Sequence, residues 1–553
     1  MGAFFSVFLT FLCKNCADIG FYNIAIYVKI VVVKERFLSG IAYASPKQVK
    51  VITGGKCMKR IFSLLIAVLM LSAVLVSCGT GNDGDDQTLP KESLVLGDDG
   101  LLYDQNGYLM DNLGEMDFEG KEIVICGWSE VQKHYPEYEV EALGADVVSD
   151  AAYKRNESVQ RRMNVKLVYN LTSGWTGPGG TAGQEQLTRV QNAAGTNEIN
   201  LIATYSWNPA TFLVNGYLAD MNAMPHIDLQ SPWWNQSVLE RNTIYGKVFF
   251  ATGDIAPSYI GATYGIFFNK DMVSDYKLDD VYKLYDKGDW TLENMMKLSK
   301  KVGSDTDGFG TKNAGDVFGF ATSQVPTDAF LQGSGVLTVE NEADGSLKVG
   351  SNFGSEKAHT LLTTLINFSN REDALFDTGT LFEDSWINGD VLFILEEFSS
   401  VKDWVTAGMT SFGVLPMPKY DDDQVEYGTI PGFYHTVYCV PVTMSSDEAT
   451  GATLECLASE SYRKVTPAYF ENIFQSRYSE DFKEAQMFEE IKNSVIIDAG
   501  RLFSTQLGSK TWMPYRNALY AGDTGWMSSF DGMEGYLNER IKMLNDTVAN
   551  LGS

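Results

Sequence analysis

Strand-like and helix-like segments alternate along residues 121–204, and this alternation constrains the fold more than any other feature of the chain. Apolar, β-branched segments at 121–128, 165–169 and 199–204 are typical of buried strands. Helical patterns over 146–162 and 184–194 separate them. Because strands joined by helices favour a sheet covered on both faces, we predict an α/β fold with a parallel sheet. In such sheets ligands bind beyond the carboxyl ends of the strands.

A short apolar segment that ends at Cys78 has the pattern of a secretory signal. Lys59 and Arg60 follow Met58, residues 61–76 carry no charge, and Cys78 stands after Leu-Val-Ser. The uncharged run is shorter than the about 20 residues of a membrane span. The cysteine after Leu-x-Ser resembles the lipobox of bacterial lipoproteins, in which this cysteine is lipidated and becomes the N-terminus. The alternatives are an ordinary signal sequence or a marginal membrane span with a chance cysteine.

This interpretation divides the first part of the chain. We expect 1–57 to be mis-assigned upstream translation and 58–77 to be a lipoprotein signal peptide. Residues 78–117 are rich in Gly, Asp and Asn, so we predict a flexible tether there. The folded body is expected to begin at about residue 118.

Charge and cysteine content exclude several function classes. The net charge of −28 argues against binding to nucleic acid or to anionic lipid headgroups. Beyond Cys78 the chain has Cys126, Cys439 and Cys456, and an odd number argues against a disulfide framework. The four histidines do not have the spacing of zinc ligands. We therefore predict no cofactor.

An acidic loop at 305–316 is a weak candidate for calcium binding. Asp305, Asp307 and Asp316 stand at positions 1, 3 and 12 of a calcium loop, and Gly310 stands at position 6. Phe309 occupies position 5, where the side chain of Phe cannot coordinate a metal. A plain acidic turn is the alternative.

Several separated motifs resemble the extracellular solute-binding proteins of family 1, which serve carbohydrate ABC importers. In their order and spacing these motifs match the family at 216–221, 232–234, 253–254, 268–270, 288–293, 413–421 and 466–470. The resemblance covers about residues 118–550. It implies a two-lobed, periplasmic-binding-protein-like fold of type II with a hinge. The first lobe would hold 118–255 with part of 413–470, and the second lobe 256–412 with most of 471–553.

A sugar site needs aromatic rings for the apolar faces of the sugar and polar groups for its hydroxyls. Because they follow strands or lie near the expected hinge, nine residues are our candidates: Trp128, Tyr205, Trp207, Asp254, Trp386, Glu397, Phe398, Gly432 and Tyr434. Each tryptophan could instead be a core residue, and for Trp386, Glu397 and Tyr434 packing and binding are equally good interpretations. Trp233, Trp234 and Trp290 are expected in the core.

No nucleophile elbow, phosphate loop or zinc signature occurs, so we predict a binding protein and not an enzyme. By resemblance, the expected protein is a monomer that is lipid-anchored at the outer face of the cell membrane of a Gram-positive bacterium. It would capture a sugar or oligosaccharide and deliver it to an ABC transporter permease. Two alternatives stay open: a binding protein for a peptide or polyamine, and a secreted glycoside hydrolase with two carboxyls across the scissile bond.

Overall fold

The computed structural model describes residues 94–140, 143–144, 146–175, 183–306, 308–475 and 482–551. The predicted signal peptide and the predicted lipidation site Cys78 lie outside these residues. In the part of the chain described, no helix combines the length and apolar character needed to cross a membrane.

Short strands and helices alternate along the described chain. The strands β1 to β13 are Val95–Leu96, Leu102–Tyr103, Lys121–Trp128, Val165–Thr172, Leu201–Tyr205, Tyr264–Asn269, Phe318–Thr322, Val339–Asn341, Leu347–Val349, Ala374–Phe376, Val391–Glu397, Phe412–Leu415 and Thr436–Cys439. The helices α1 to α18 are Val147–Met163, Gly183–Ala193, Pro209–Val214, Gln236–Asn242, Pro257–Gly261, Lys270–Asp275, Val281–Asp286, Leu292–Lys300, Ala329–Gly333, Glu356–Ser369, Leu381–Ile387, Val401–Ala407, Glu448–Glu460, Thr466–Gln475, Phe482–Asn493, Ala499–Leu502, Met513–Ala521 and Trp526–Asn550.

The first lobe is built on a four-stranded sheet with the order β13-β5-β3-β4. Strand β3 lies parallel to both neighbours, with Ile125 opposite Tyr169 of β4 and Leu201 of β5. Helix α1 connects β3 to β4. It begins at Asp146, whose carboxylate accepts hydrogen bonds from the first-turn amides, and ends before Asn164 in a left-handed conformation. These elements follow the predicted alternation of strand and helix.

The second lobe is built on a five-stranded sheet with the order β10-β7-β11-β6-β12. Strand β11 lies near its centre, where Phe393 stands opposite Phe268 of β6 and Phe320 of β7. The side chains of residues 391–395 are fully buried, as expected for a strand covered on both faces. The carboxyl end of β11 places Glu397 and Phe398 at the edge of the lobe.

Both sheets are mixed, whereas the sequence pattern predicted parallel pairing. Strand β13 runs antiparallel to β5 in the first lobe, and β6 runs antiparallel to β11 and β12 in the second. The chain reaches β6 and β13 through segments that cross between the lobes. It does not reach them through a helix that would return the chain to the same end of the same sheet. A crossing chain enters the sheet from the opposite end, so it pairs antiparallel.

In the described part of the chain, two of the segments that cross between the lobes pair with each other. Residues 252–263 lead from the first lobe to β6, and residues 416–435 lead from β12 to β13. The amide of Gly432 donates to the carbonyl of Ala262 at 2.7 Å, and the amide of Tyr264 donates to Ile430 at 3.1 Å. Helix α14 packs on α1 of the first lobe, whereas α15 packs on β12 of the second.

Residues 104–117 are packed onto the first lobe, so the predicted flexible tether does not extend through them. Asp111 is 6% exposed and forms an ion pair with Arg162 at the end of α1. Arg162 also donates to Glu460 at 2.9 Å, and the amide of Met116 donates to the carbonyl of Arg162 at 2.8 Å. The prediction fails here because the acidic residues that suggested a solvated linker have a buried cation as partner.

Candidate functional site

A cavity of about 710 Å³ lies between the two lobes, within the range typical of small-molecule sites. Its walls come from the segment after β3, the segment after β11, the crossing residue Tyr434 and helix α14. The cavity therefore lies at carboxyl ends of strands from both lobes, where a ligand can touch both at once. It is lined by Lys133, His134, Tyr135, Pro136, Asp146, Val148, Glu397, Phe398, Ser399, Ser400, Val401, Lys402, Asp403, Val405, Thr406, Tyr434 and Tyr469.

The outer part of the cavity is charged and exposed to solvent. Lys133 and Asp146 come from the first lobe, and Lys402 and Asp403 come from α12 of the second. Burial tends to raise the pKa of Asp146, but hydrogen bonds from α1 and the charge of Lys402 lower it overall. The attraction between Asp146 and Lys402 therefore acts from one lobe to the other across the mouth of the cavity.

The inner part of the cavity is aromatic. Tyr135, Phe398 and Tyr469 are each less than 9% exposed, and they come from three different segments of the chain. The ring of Tyr135 and the hydroxyl of Tyr469 both lie against Gly261, where a Cβ atom would come within 2.3 Å of the Tyr135 ring. Glycine at this position therefore allows the two tyrosines to meet beside the crossing segment.

Glu397 is the acidic residue of the inner cavity. Its Oε2 accepts a hydrogen bond from Ser399 Oγ at 3.1 Å. Burial raises the pKa of Glu397 to about 7, although hydrogen bonds from Ser399 and Tyr264 oppose this rise. Among the residues that the structure describes, no Lys, Arg or His forms an ion pair with this carboxyl group.

An aromatic cluster extends from the cavity into the first lobe. The ring of Tyr434 lies 4.8 Å from Trp128, and Trp128 lies 5.2 Å from Tyr205. Trp207 continues the cluster at 5.9 Å from Tyr205 and 5.1 Å from Phe433. Tyr434 is the member that lines the cavity, and Trp128 and Tyr205 pack against its ring from the first lobe.

The structure brings together most of the candidates that the sequence singled out. Glu397, Phe398 and Tyr434 line the cavity. Trp128 is fully buried, and its indole N–H donates to Thr436 at 2.9 Å. Gly432 contributes by its lack of a side chain, because a Cβ atom there would lie 2.2 Å from Oε1 of Glu397.

Two candidates lie away from the cavity. Trp386 is fully buried in the core of the second lobe, 5.3 Å from Trp404 and 5.8 Å from Phe412, so the packing interpretation describes its surroundings. Asp254 is 1% exposed, and its carboxylate accepts from Lys492 Nζ at 2.8 Å and Thr466 Oγ1 at 2.5 Å. Asp254 therefore serves the crossing region as a buried ion-pair partner.

In the calcium candidate loop, the carboxylates of two aspartates hold backbone amides. Asp305 accepts from the amides of Gly308 and Gly310, and Asp316 accepts from those of Thr306 and Asn313. Asp307 lies outside the described residues. The contacts seen are those of an acidic turn, and calcium binding stays an untested prediction.

Sequence reasoning missed several residues of the cavity. Lys133, His134 and Tyr135 lie in the segment that follows β3, so the rule that pointed to Trp128 applies to this segment as well. Tyr469 lies on α14, more than three hundred residues further along the chain. No local pattern connects it with Glu397, and only the packing of α14 beside the crossing segments brings it there.

Comparisons with known proteins identify the fold. No protein-family model and no curated protein sequence matches the chain. Among solved structures, the chain is similar to the cyclic α-maltosyl-1,6-maltose binding protein from Arthrobacter globiformis, with a TM-score of 0.51 and 14% identity, over 76% of this chain and 99% of the other. An ABC substrate-binding protein from Listeria monocytogenes in complex with cycloalternan aligns with a TM-score of 0.46 and 14% identity, over 78% and 100% of the two chains. At these identities the likeness concerns the fold: the chain has the two-lobed α/β architecture of a periplasmic binding protein.

Proposed function

We propose that this protein is an extracytoplasmic solute-binding protein that captures a sugar or oligosaccharide between its lobes. The observation that carries the proposal is the interlobe cavity, whose lining combines aromatic rings with carboxyl, hydroxyl and amine groups. Aromatic rings suit the apolar faces of sugars, and the polar groups suit their hydroxyls. The protein from Arthrobacter globiformis, which has the same fold, is a cyclic α-maltosyl-1,6-maltose binding protein.

Closure of the two lobes on the ligand is the mechanism we propose. Tyr434 and Tyr135 would hold the ligand from the first lobe and the crossing segment, while Phe398 and Glu397 would hold it from the second. A ligand that touches both walls binds the closed form better than the open form, so it shifts the population towards closure. The attraction between Asp146 and Lys402 acts in the same direction.

Anchoring and delivery complete the proposal. A lipid on Cys78 would hold the protein at the outer face of the membrane, and residues 79–93 would connect the anchor to the folded body. An ABC transporter permease would receive the ligand from the closed form. Anchoring raises the effective concentration of the binding protein near such a partner. Mass spectrometry of the protein from membranes tests this part, and an unmodified Cys78 in the mature protein would contradict it.

Calorimetry with a panel of oligosaccharides tests the binding itself. We expect at least one oligosaccharide to bind, and we expect Tyr434→Ala to weaken that binding about tenfold, which equals about 1.4 kcal/mol. Tyr276→Ala is the matched control, because Tyr276 is 43% exposed on the second lobe and does not line the cavity. Cleavage of an oligosaccharide would instead favour a glycoside hydrolase, and binding confined to peptides or polyamines would favour a different solute.

A further inference from the structure

Glu397 differs from the fully buried carboxylates in what surrounds it. Asp328 accepts from Arg516 Nε at 2.8 Å, and Glu460 accepts from Arg162 at 2.9 Å. Glu455 has no cation within ion-pair distance in the described chain, but two fixed indole N–H groups donate to it, each at 3.1 Å. The buried residues Glu137 and Glu396 also form no ion pair in the described chain, but they do not line the cavity. Glu397 is half-buried, has no cation as partner among the described residues, and faces an open cavity. A group that enters the cavity can therefore still pair with it.

Aromatic rings surround this carboxyl group. Tyr135, Phe398 and Tyr469 line the inner cavity with it, and Tyr264 lies next to it below Gly432. The faces of such rings attract cations, and the attraction increases when water is excluded. A carboxylate beside several rings therefore provides the two kinds of contact that an ammonium group uses.

The cations of the cavity do not neutralise Glu397. Lys133, His134 and Lys402 are exposed at the outer part, and the charge of Lys402 acts on Asp146. Arg501 lies behind Tyr264 and forms its ion pair with Asp328 at 3.4 Å. The remaining titratable groups that interact electrostatically with Glu397 are Tyr135, Tyr205, Tyr264, Tyr469 and Glu396. These groups are neutral or acidic, so the inner cavity favours a positive charge.

We propose that the inner end of the cavity binds an ammonium group of the ligand, with Glu397 as its counter-ion, so that the ligand is an amino sugar or an oligosaccharide with a free amine. This inference rests on the proposed function, since it names the sugar class that the same cavity takes. The overall charge of −28 also favours the approach of a cationic ligand over that of an anionic one.

Matched oligosaccharides test this inference by calorimetry. Glucosamine oligomers carry free amines, whereas N-acetylglucosamine oligomers of the same length are neutral. We expect the wild-type protein to bind the free-amine oligomers at least about tenfold more tightly. A difference of this size corresponds to the free energy of one hydrogen bond to a charged group. Glu397→Gln keeps the shape of the side chain, and it should abolish this preference. Asp279→Asn is the matched control, because the side chain of Asp279 is 74% exposed and does not line the cavity, so this variant should leave the preference in place.

Proton release provides a second readout that a purely structural role of Glu397 would not produce. Burial raises the pKa of Glu397 to about 7, so at pH 6 the empty site holds a proton on this carboxyl group. A bound ammonium favours the ionised carboxylate and expels that proton. Calorimetry at pH 6 in buffers with different ionisation enthalpies should therefore show release of up to one proton, and Glu397→Gln should show none.

The outcomes separate this inference from the proposed function. Equal binding of the free-amine and acetylated oligomers, or an unchanged preference in Glu397→Gln, would overturn the ammonium site and leave sugar binding intact. Binding of neither kind, together with a failure of all other oligosaccharides, would overturn both. Unfolding curves of each variant show whether it retains the native fold.

Discussion

Replacing Lys492 by methionine should destabilise the protein, because it removes the cation that pairs with a buried carboxylate. Lys492 lies on α15, which packs on the second lobe, and its Nζ donates to Asp254 of the crossing segment at 2.8 Å. The side chain of Asp254 is 1% exposed and that of Lys492 is 15% exposed, so water cannot replace the lost partner. The ion pair therefore joins a crossing segment to a helix of the second lobe.

The structure sets the magnitude of this effect. After the substitution, Thr466 Oγ1 at 2.5 Å is the remaining hydrogen-bond donor that the structure shows for the carboxylate. Removing one partner of a buried ion pair typically costs about 3–5 kcal/mol. The double variant Asp254→Asn/Lys492→Met should recover part of this loss, because it leaves no buried charge behind.

Urea unfolding at neutral pH measures the change in the free energy of unfolding. Lys283→Met is the matched control, since the side chain of Lys283 is 73% exposed and pairs with Asp280 at 3.3 Å. Such an exposed pair contributes less than about 1 kcal/mol. A loss below about 1 kcal/mol for Lys492→Met would refute the view that this ion pair braces the crossing region.

Three further predictions concern stability and the site. Burial raises the pKa of Glu397 to about 7, so the folded state binds the proton of this carboxyl group more tightly than the unfolded state. The contribution of Glu397 to the free energy of unfolding should therefore fall as the pH rises from about 4.5 to 7. The fall, up to about 3 kcal/mol by chemical denaturation, should be absent in Glu397→Gln. Trp386→Ala should cost about 3–5 kcal/mol, and ligand affinity per folded molecule, measured by calorimetry, should stay unchanged because Trp386 lies in the core. Gly432→Ala should weaken binding, since its Cβ would meet Glu397. Gly535→Ala has open space on α18 and should raise the free energy of unfolding by about 0.5–1 kcal/mol.

Local sequence patterns were sufficient for the elements of the first lobe. The helix predicted over 146–162 is α1, Val147–Met163, and the three predicted strands correspond to β3, β4 and β5. A helix that buries one face repeats its apolar residues at a regular spacing, and a fully buried strand is a continuous apolar run. Both patterns can therefore be recognised from neighbouring residues. Asp146 is recognisable as a helix start for the same local reason.

The roles of individual side chains depended on contacts between distant parts of the chain. Trp386 and Trp128 both stand beside apolar strands, but one is enclosed in the second lobe and the other supports Tyr434 at the cavity. Asp254 follows a strand like a ligand-binding residue, yet Lys492 reaches it from 238 positions away in the chain. A tryptophan can lie in a core or in a binding site, and a carboxylate can form an ion pair or contact a ligand. The residues packed around the side chain decide which of these occurs.

Sequence patterns therefore predicted an α/β protein and placed Glu397, Phe398 and Tyr434 among the candidate site residues, and the family resemblance implied two lobes. Tertiary structure alone decided that Glu397 lies beside Tyr135 and Tyr469, without a cation and in contact with an open cavity. The physical reason is that periodic burial is a property of adjacent residues, whereas the electrostatic environment of a side chain is the sum of what the whole fold packs around it.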